Sequence, residues 1–337
     1  MWAHPDSQAG DMVCCLFAVY GRVPLRLESP LLKLMLQVMP IACACHMLAA
    51  GQQNPCLLLT LGPAMLLTLQ PYEVFAMLWK HPEQWQQVFL GDYDPSALAH
   101  YWESMAASNW KSCPVVKHPD LWQDRGKVVP WFTHSDGGEV YRNKVHTVYS
   151  WSSPFSHNVD AKDAKLYIMM LDEMRDVHGM TEGQITDYLH YQDDVLRSGK
   201  HPFENSDGSP VTGHKLKLAG EWLAGGYKAC CVGWTGDLKE EMKVHQLCRN
   251  YNCNFMCKKC LGCRHKESGN AYDFRANAFW IRERISHETY LATTPPDHQS
   301  PWVRMDGWTI YRNREDELHQ IWLGFGKDHR DGAPLTR

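Results

Sequence analysis

No stretch of this chain offers about 18 uninterrupted apolar residues, the length a helix needs to cross a bilayer. The most apolar segment, residues 31–69, is interrupted by Lys33, Pro40, His46, Gly51 and Pro63, which excludes a helical membrane span. The N-terminus has no basic stretch leading to an Ala-x-Ala cleavage pattern, so the 13 cysteines do not belong to a secreted disulfide framework. No Gly-x-Gly-x-x-Gly, Gly-x-Ser-x-Gly or Gly-rich lysine loop is present, which removes support for dinucleotide enzymes, hydrolases and P-loop NTPases. Cys230-Cys231 lacks the Cys-x-x-Cys setting of a thioredoxin-like redox pair. An overall basic excess is missing too: the formal charge is -4, so the chain is not a basic coat for nucleic acid. No internal repeat is visible.

With 337 residues, 44% of them hydrophobic, the chain is long enough for one large domain or two ordinary ones. Its charge is unevenly placed. Residues 72–110 carry a net -4, whereas residues 255–285 carry a net +4, a local surplus that suits a polyanionic partner or an ordinary solvated face. Seven cysteines fall between Cys230 and Cys263, a clustering that favours metal binding in a reducing, intracellular setting.

Residues 1–70 are poor in charge and without sustained periodicity, and are read as a poorly structured or unrelated leader, or equally as a source of a helix or two for the core. Residues 71–125 form a helical N-terminal segment, in which Asp94-Pro95 opens a helix with Asp94 as its cap. Residues 126–247 hold an α/β core. A buried strand over 128–134 ends at Asp136-Gly137-Gly138, a natural turn into a second strand over 140–151. A helix capped by Asp160 carries Tyr167, Ile168, Leu171 and Met174 and stops at Gly179. Thr181-Glu182-Gly183-Gln184 opens another, ending near Gly199. A buried strand over 227–234 then reaches Thr235-Gly236-Asp237, and residues 239–247 are helical. Residues 248–327 form a Cys/His-rich insertion and 328–337 a tail. Pro130 is awkward inside a central strand, because it has no N–H for the ladder.

Two kinds of metal chemistry coincide here. Asp136 and Asp237 each follow an apolar strand beside glycine, where carboxylates suit a hard cation such as Mg2+ or Mn2+. Each is also explained as a turn or cap residue. Cys257-Lys258-Lys259-Cys260 has the spacing of a zinc half-site, and Cys263 and His265 lie close enough to complete it. Cys248, Cys253 or the imidazole of His319 are equally available as partners. Buried cysteines without metal are the plain alternative.

The run from Gly236-Asp237 through Lys243-Val244 to Cys257-Lys258-Lys259-Cys260 resembles the central block of CACTA-type (En/Spm-like) DNA transposases. Asp316-Glu317-Leu318-His319 with the following Leu323-Gly324 is similar to that family's Asp-x-x-His motif, and His134-Ser135-Asp136-Gly137-Gly138 to the strand carrying its first catalytic acid. The resemblance spans residues 126–327. It implies an RNase H-like mixed sheet with helices and a zinc-type Cys/His insertion. Asp136 and Asp237 would be catalytic metal ligands for Mg2+ or Mn2+. Cys257, Cys260 and His319 would hold structural Zn2+, with Asp316 orienting the imidazole. On the alternative reading, a zinc-stabilised binding module, Lys258, Lys259, Arg264 and Lys266 would touch DNA phosphates. The resemblance further implies DNA as partner, a homo-oligomer and a nuclear location. The family's third acid lies well beyond the Leu-Gly segment, and this chain ends 18 residues after His319 with no acid that fits the role. The expectation is a transposase-derived protein, incomplete at its C-terminus and inactive in DNA cleavage. The alternative is a zinc-stabilised DNA-binding module without catalysis.

Overall fold

The computed structural model describes residues 56–61, 64–108, 110, 112–141, 144–158, 164–172, 180–247, 253–255, 257–265, 270, 273 and 275–315. It divides into two compact units, Met1–Val177 with Asp187–Cys231, and His178–Thr186 with Val232–Arg337. The chain is α/β. Strands β1 (Cys56–Leu61) and β2 (Ala64–Leu69) precede five helices: α1 (Pro71–Trp79), α2 (Pro82–Phe89), α3 (Ser96–Ala107), α4 (Pro114–Lys117) and α5 (Pro119–Gln123). Then come β3 (Val128–Tyr141), β4 (Lys144–Ser152), β5 (Leu166–Asp172), α6 (Thr181–Ser198) and α7 (Gly213–Leu218). Strand β6 (Lys228–Gly236), α8 (Leu238–His245), α9 (Phe279–Arg282), α10 (His287–Thr293) and β7 (Asn313–Glu315) complete the order.

Local chemistry explains many of these boundaries. Proline opens α1 and α2 at their first turn, where its missing N–H costs nothing. The Asp94 carboxylate accepts from the Ser96 N–H at 2.8 Å and starts α3. That bond holds Asp94 below the usual carboxylate range. Helix α6 stops at Gly199, whose φ of +69° is the left-handed conformation glycine tolerates. A Cβ there would lie 2.9 Å from Lys228 Cγ.

The sheet is mixed. Strands β3, β4 and β5 form an antiparallel meander, and β6 and β7 run parallel. The strand order is β1-β2-β5-β4-β3-β6-β7, so β6 lies beside β3 rather than beside its predecessor β5. Strand β2 extends the β5 edge, with Thr68 opposite Met169. In the first unit an aromatic core packs under the meander: Phe75 and Phe89 rings are 4.9 Å apart, Phe89 and Trp151 5.4 Å, Trp131 and Trp151 5.6 Å. Tilted and edge-on pairs of this kind add about 0.5–1.5 kcal/mol each beyond the area they bury.

Four expectations change. Cys56–Leu61 and Ala64–Leu69, read as part of a leader, form two strands. The helix expected from Asp160 to Gly179 is replaced over 166–172 by β5. Leu166, Ile168, Met169 and Leu171 are buried while Tyr167 and Met170 are half-buried, so this apolar run serves a strand covered on both faces. Asp160, Met174 and Gly179 lie outside the described residues. Asp136-Gly137-Gly138 is not a turn, since β3 runs through it with Asp136 opposite Val148 and Gly138 opposite His146. Pro130 is accommodated because the register with β4 begins two residues later, at Phe132.

Candidate functional site

Asp136 sits in the body of β3. Alternation along the strand buries Thr133 and Ser135 and leaves His134 half-buried and Asp136 exposed, so these last two share one face. Lys165 Nζ lies 3.3 Å from His134 Nε2, and Ser150 Oγ 3.5 Å from its Nδ1. The face therefore groups a carboxylate with an imidazole and an ammonium.

Asp237 follows β6 and caps α8: its Oδ1 accepts from the Glu240 N–H at 2.6 Å. The capping role weighed from the sequence is realised. One oxygen serves the helix, and the acid stands half-buried. A carboxylate has further lone pairs on its second oxygen, so a cap can also take a cation.

The cysteine loop belongs to the second unit. The Lys259 N–H donates to Cys257 Sγ at 3.3 Å, Gly262 N–H to Cys260 Sγ at 3.4 Å, and His265 N–H to Cys263 Sγ at 3.5 Å. Each sulfur thus receives the N–H two residues on, a repeat that supplies partial positive charge to three sulfurs. Cys257 and Cys260 are hydrogen-bonded to each other. Burial pushes the Cys257 thiol up, while the Lys259 N–H pulls the other way. Cys253, Cys257, Cys260 and Cys263 are free thiols. Among the described residues no three His, Cys, Asp or Glu side chains converge as a metal site. The adjacent Cys257 and Cys260 fit half of a zinc site. Cys263 is buried and His265 exposed, and neither completes it. His319, Asp316, Cys248 and Lys266 lie outside the described residues.

Lys258 departs from its expected place on a DNA-facing surface. Its ammonium is buried and paired with Glu241 of α8. A charge taken out of water this way needs its partner and has little left for phosphate. Lys259 is half-buried and Arg264 exposed.

Three polar groups escaped the sequence reading, two of them buried and one, Glu73, half-buried. Asp193 of α6, 1% exposed, accepts from Trp131 Nε1 at 3.2 Å and from the Cys231 N–H at 2.6 Å, and pairs with Arg197 at 3.0 Å. Burial raises its pKa to about 6, partly offset by Arg197. Glu73 holds Lys215 at 2.6 Å and Tyr72 Oη at 3.2 Å, and desolvation raises its pKa. His245 lies fully buried among Trp234, Trp302 and Trp308, with ring centroids 4.8–5.9 Å away, and among the described residues neither ring nitrogen has a hydrogen-bond partner.

Burial holds the His245 imidazole well below its ordinary value of 6.5. The unfolded chain takes up a proton near that value while the native ring stays neutral, so this residue's contribution to stability falls as pH drops below 6.5. His245→Phe removes two unpaired nitrogens at similar volume. It is expected to stabilise by about 1–2 kcal/mol at pH 8 and to flatten the loss toward pH 5.5, as read from urea midpoints. A destabilised variant with an unchanged acid slope contradicts this account.

The chain matches no family model, no curated protein and no solved structure. No helix among the described residues is long and apolar enough to cross a membrane.

Proposed function

We propose that the chain is a transposase-derived protein that handles DNA on an RNase H-like sheet, with Asp136 and Asp237 as the acids that take Mg2+ or Mn2+. The observation that carries this reading is the strand order. A three-stranded meander is followed by helices α6 and α7, and then by β6 with a parallel β7. One acid lies on β3 and the other directly follows β6. Bound to such acids, a divalent cation supplies Lewis-acid activation for phosphodiester chemistry. Asp136 contributes an exposed carboxylate next to a half-buried His134, and Asp237 is half-buried with one oxygen engaged in a helix cap. The same reading carries DNA as partner, a nuclear location and self-association.

Mn2+ titration followed by electron paramagnetic resonance tests it. Asp136→Ala and Asp237→Ser are each expected to weaken binding by about tenfold or more, since each removes a charged ligand. Serine retains the capping function, so a loss in Asp237→Ser is not a loss of the helix. Unchanged Mn2+ affinity in both variants would sink the proposal.

A zinc-stabilised DNA-binding module without catalysis is the second reading, favoured by the three N–H to sulfur bonds at Cys257, Cys260 and Cys263. No Asp237-dependent plasmid nicking is expected on either reading, so Mn2+ binding that is lost in Asp237→Ser selects the first and DNA binding without such Mn2+ binding selects the second.

A further inference from the structure

We propose that the cysteine-rich part of the second unit is a platform for unpaired DNA bases, with Phe255 and Phe279 as stacking rings and Arg264, Arg282 and Arg284 as phosphate contacts. This rests on DNA being the partner and narrows it to single strands.

The rings are the first observation. Phe255 is 49% exposed and Phe279 45%, although the same unit hides Trp234, Trp302 and Ile310 at 1% or less. A body with room for two indoles in its core leaves two smaller rings in water, each at a cost in exposed apolar surface.

The second observation is that these exposed groups stand on paired backbone. Phe255 bridges Cys263, and Cys260 bridges Arg284. The Leu261 N–H donates to Glu283 O at 3.3 Å and the Ile285 N–H to Lys259 O at 3.1 Å. One loop therefore holds both the Phe255 segment and the Arg284 segment. The Arg264 N–H donates to Asn254 O at 2.9 Å, which sets that guanidinium-bearing residue beside Phe255. Phe279 and Arg282 lie three apart on α9, neighbouring positions on a helix surface.

Charge decides the occupant. Arg275 is neutralised by Asp273 through bonds of 2.8 and 2.9 Å, but among the described residues no carboxylate pairs with Arg282 or Arg284. Two exposed arginines without a carboxylate, next to exposed rings, match a strand that presents phosphates and bare base faces together. Duplex DNA hides those faces within its stack. A membrane surface would call for one amphipathic helix, whereas these rings stand on separate segments.

The test uses the full chain with zinc present and magnesium omitted, and reads fluorescence anisotropy of a labelled oligothymidylate of about 20 nucleotides against a duplex of equal length. Phe255→Ala and Phe279→Ala are each expected to weaken single-strand binding by about tenfold while leaving duplex binding unchanged. Arg282→Gln with Arg284→Gln should lower the salt dependence by about 1–2 in log–log slope. Phe255→Leu keeps the apolar volume without the ring and should lose as much as alanine, so misfolding cannot imitate the result. Ring variants that bind single strands like the wild type, or lose single-strand and duplex binding equally, overturn the proposal. Ring-dependent binding to anionic vesicles in place of DNA overturns it too. The assay needs neither Asp136 nor Asp237, so Mn2+ binding can fail while this platform stands, and the reverse.

Discussion

Asp193→Ala is expected to cost about 3–5 kcal/mol, the toll of removing one partner from a buried charge pair. The carboxylate is the acceptor for three donors at once: the Trp131 indole, the Cys231 N–H and Arg197. Alanine leaves all three without that acceptor in a region where Trp131 is 0% exposed. Against a typical stability of about 5–15 kcal/mol, such a loss removes a large part of the margin. The pH dependence gives an independent signature. Because burial raises the folded pKa from 3.8 to about 6, the native state holds a proton that the unfolded chain has released across that window. The favourable contribution is complete below 3.8 and is lost as pH rises through 6, by on the order of 3 kcal/mol in total. Asp193→Asn keeps an acceptor but cannot titrate. It should flatten the slope between pH 4 and pH 6 while costing less than alanine at pH 5, as read from guanidinium midpoints. An alanine variant as stable as the wild type, or an asparagine variant with the same slope, would refute the hub assigned to Asp193.

Punctuation residues made some of this fold legible. Pro71, the Asp94-Pro95 pair, the Thr181 box and Gly199 act through local backbone chemistry, so their effect does not depend on what packs against them, and the helices begin or end where they stand. The buried strand before Asp237 was readable because Ala229, Cys230, Val232 and Trp234 form a short apolar run bounded by glycines, too short for a buried helix. The 166–172 segment was not readable. Its apolar residues satisfy a helical stripe and a doubly covered strand alike, and the choice is made by β4, whose Val148 and Tyr149 pair with Met170 and Met169. Asp136-Gly137-Gly138 misled in the opposite way, since its residues favour a turn locally while the long register with β4 keeps the strand going. Lys258 beside Lys259 resembles a solvated basic run, and only the distant Glu241 turns one of the two inward. Buried charge is a tertiary property. It leaves no periodic trace in sequence, which is why Asp193 and His245 also went unseen.

On the zinc reading, the double variant Cys257→Ser with Cys260→Ser is expected to lose one equivalent of zinc and much of the stability of the second unit. Structural zinc contributes on the order of 10 kcal/mol in small metal-dependent folds, more than any single packing change is worth. The loop has few substitutes for it. The described elements from 253 to 285 are isolated bridges and the four-residue α9, held by the Phe255–Cys263 and Cys260–Arg284 bridges and a few backbone bonds. The Cys257 thiol, raised by burial, gains from deprotonation only when a cation compensates the buried charge, so a metal and this sulfur stabilise each other. Atomic absorption of purified protein gives the stoichiometry, and thermal unfolding with and without a chelator gives the energetic consequence. The wild type should fall in Tm on chelation by many degrees, whereas the double variant should start low and not respond. Lys258 supplies the internal control. Its partner Glu241 lies on α8, beyond the loop's own bridges, so loss of metal should loosen that buried pair and expose Lys258 to acetylation by a lysine-selective reagent. Full zinc content in the double variant, or zinc loss with an unchanged Tm and a protected Lys258, would mean that these sulfurs are packed as small apolar groups and that the N–H bonds they accept have no metal to serve.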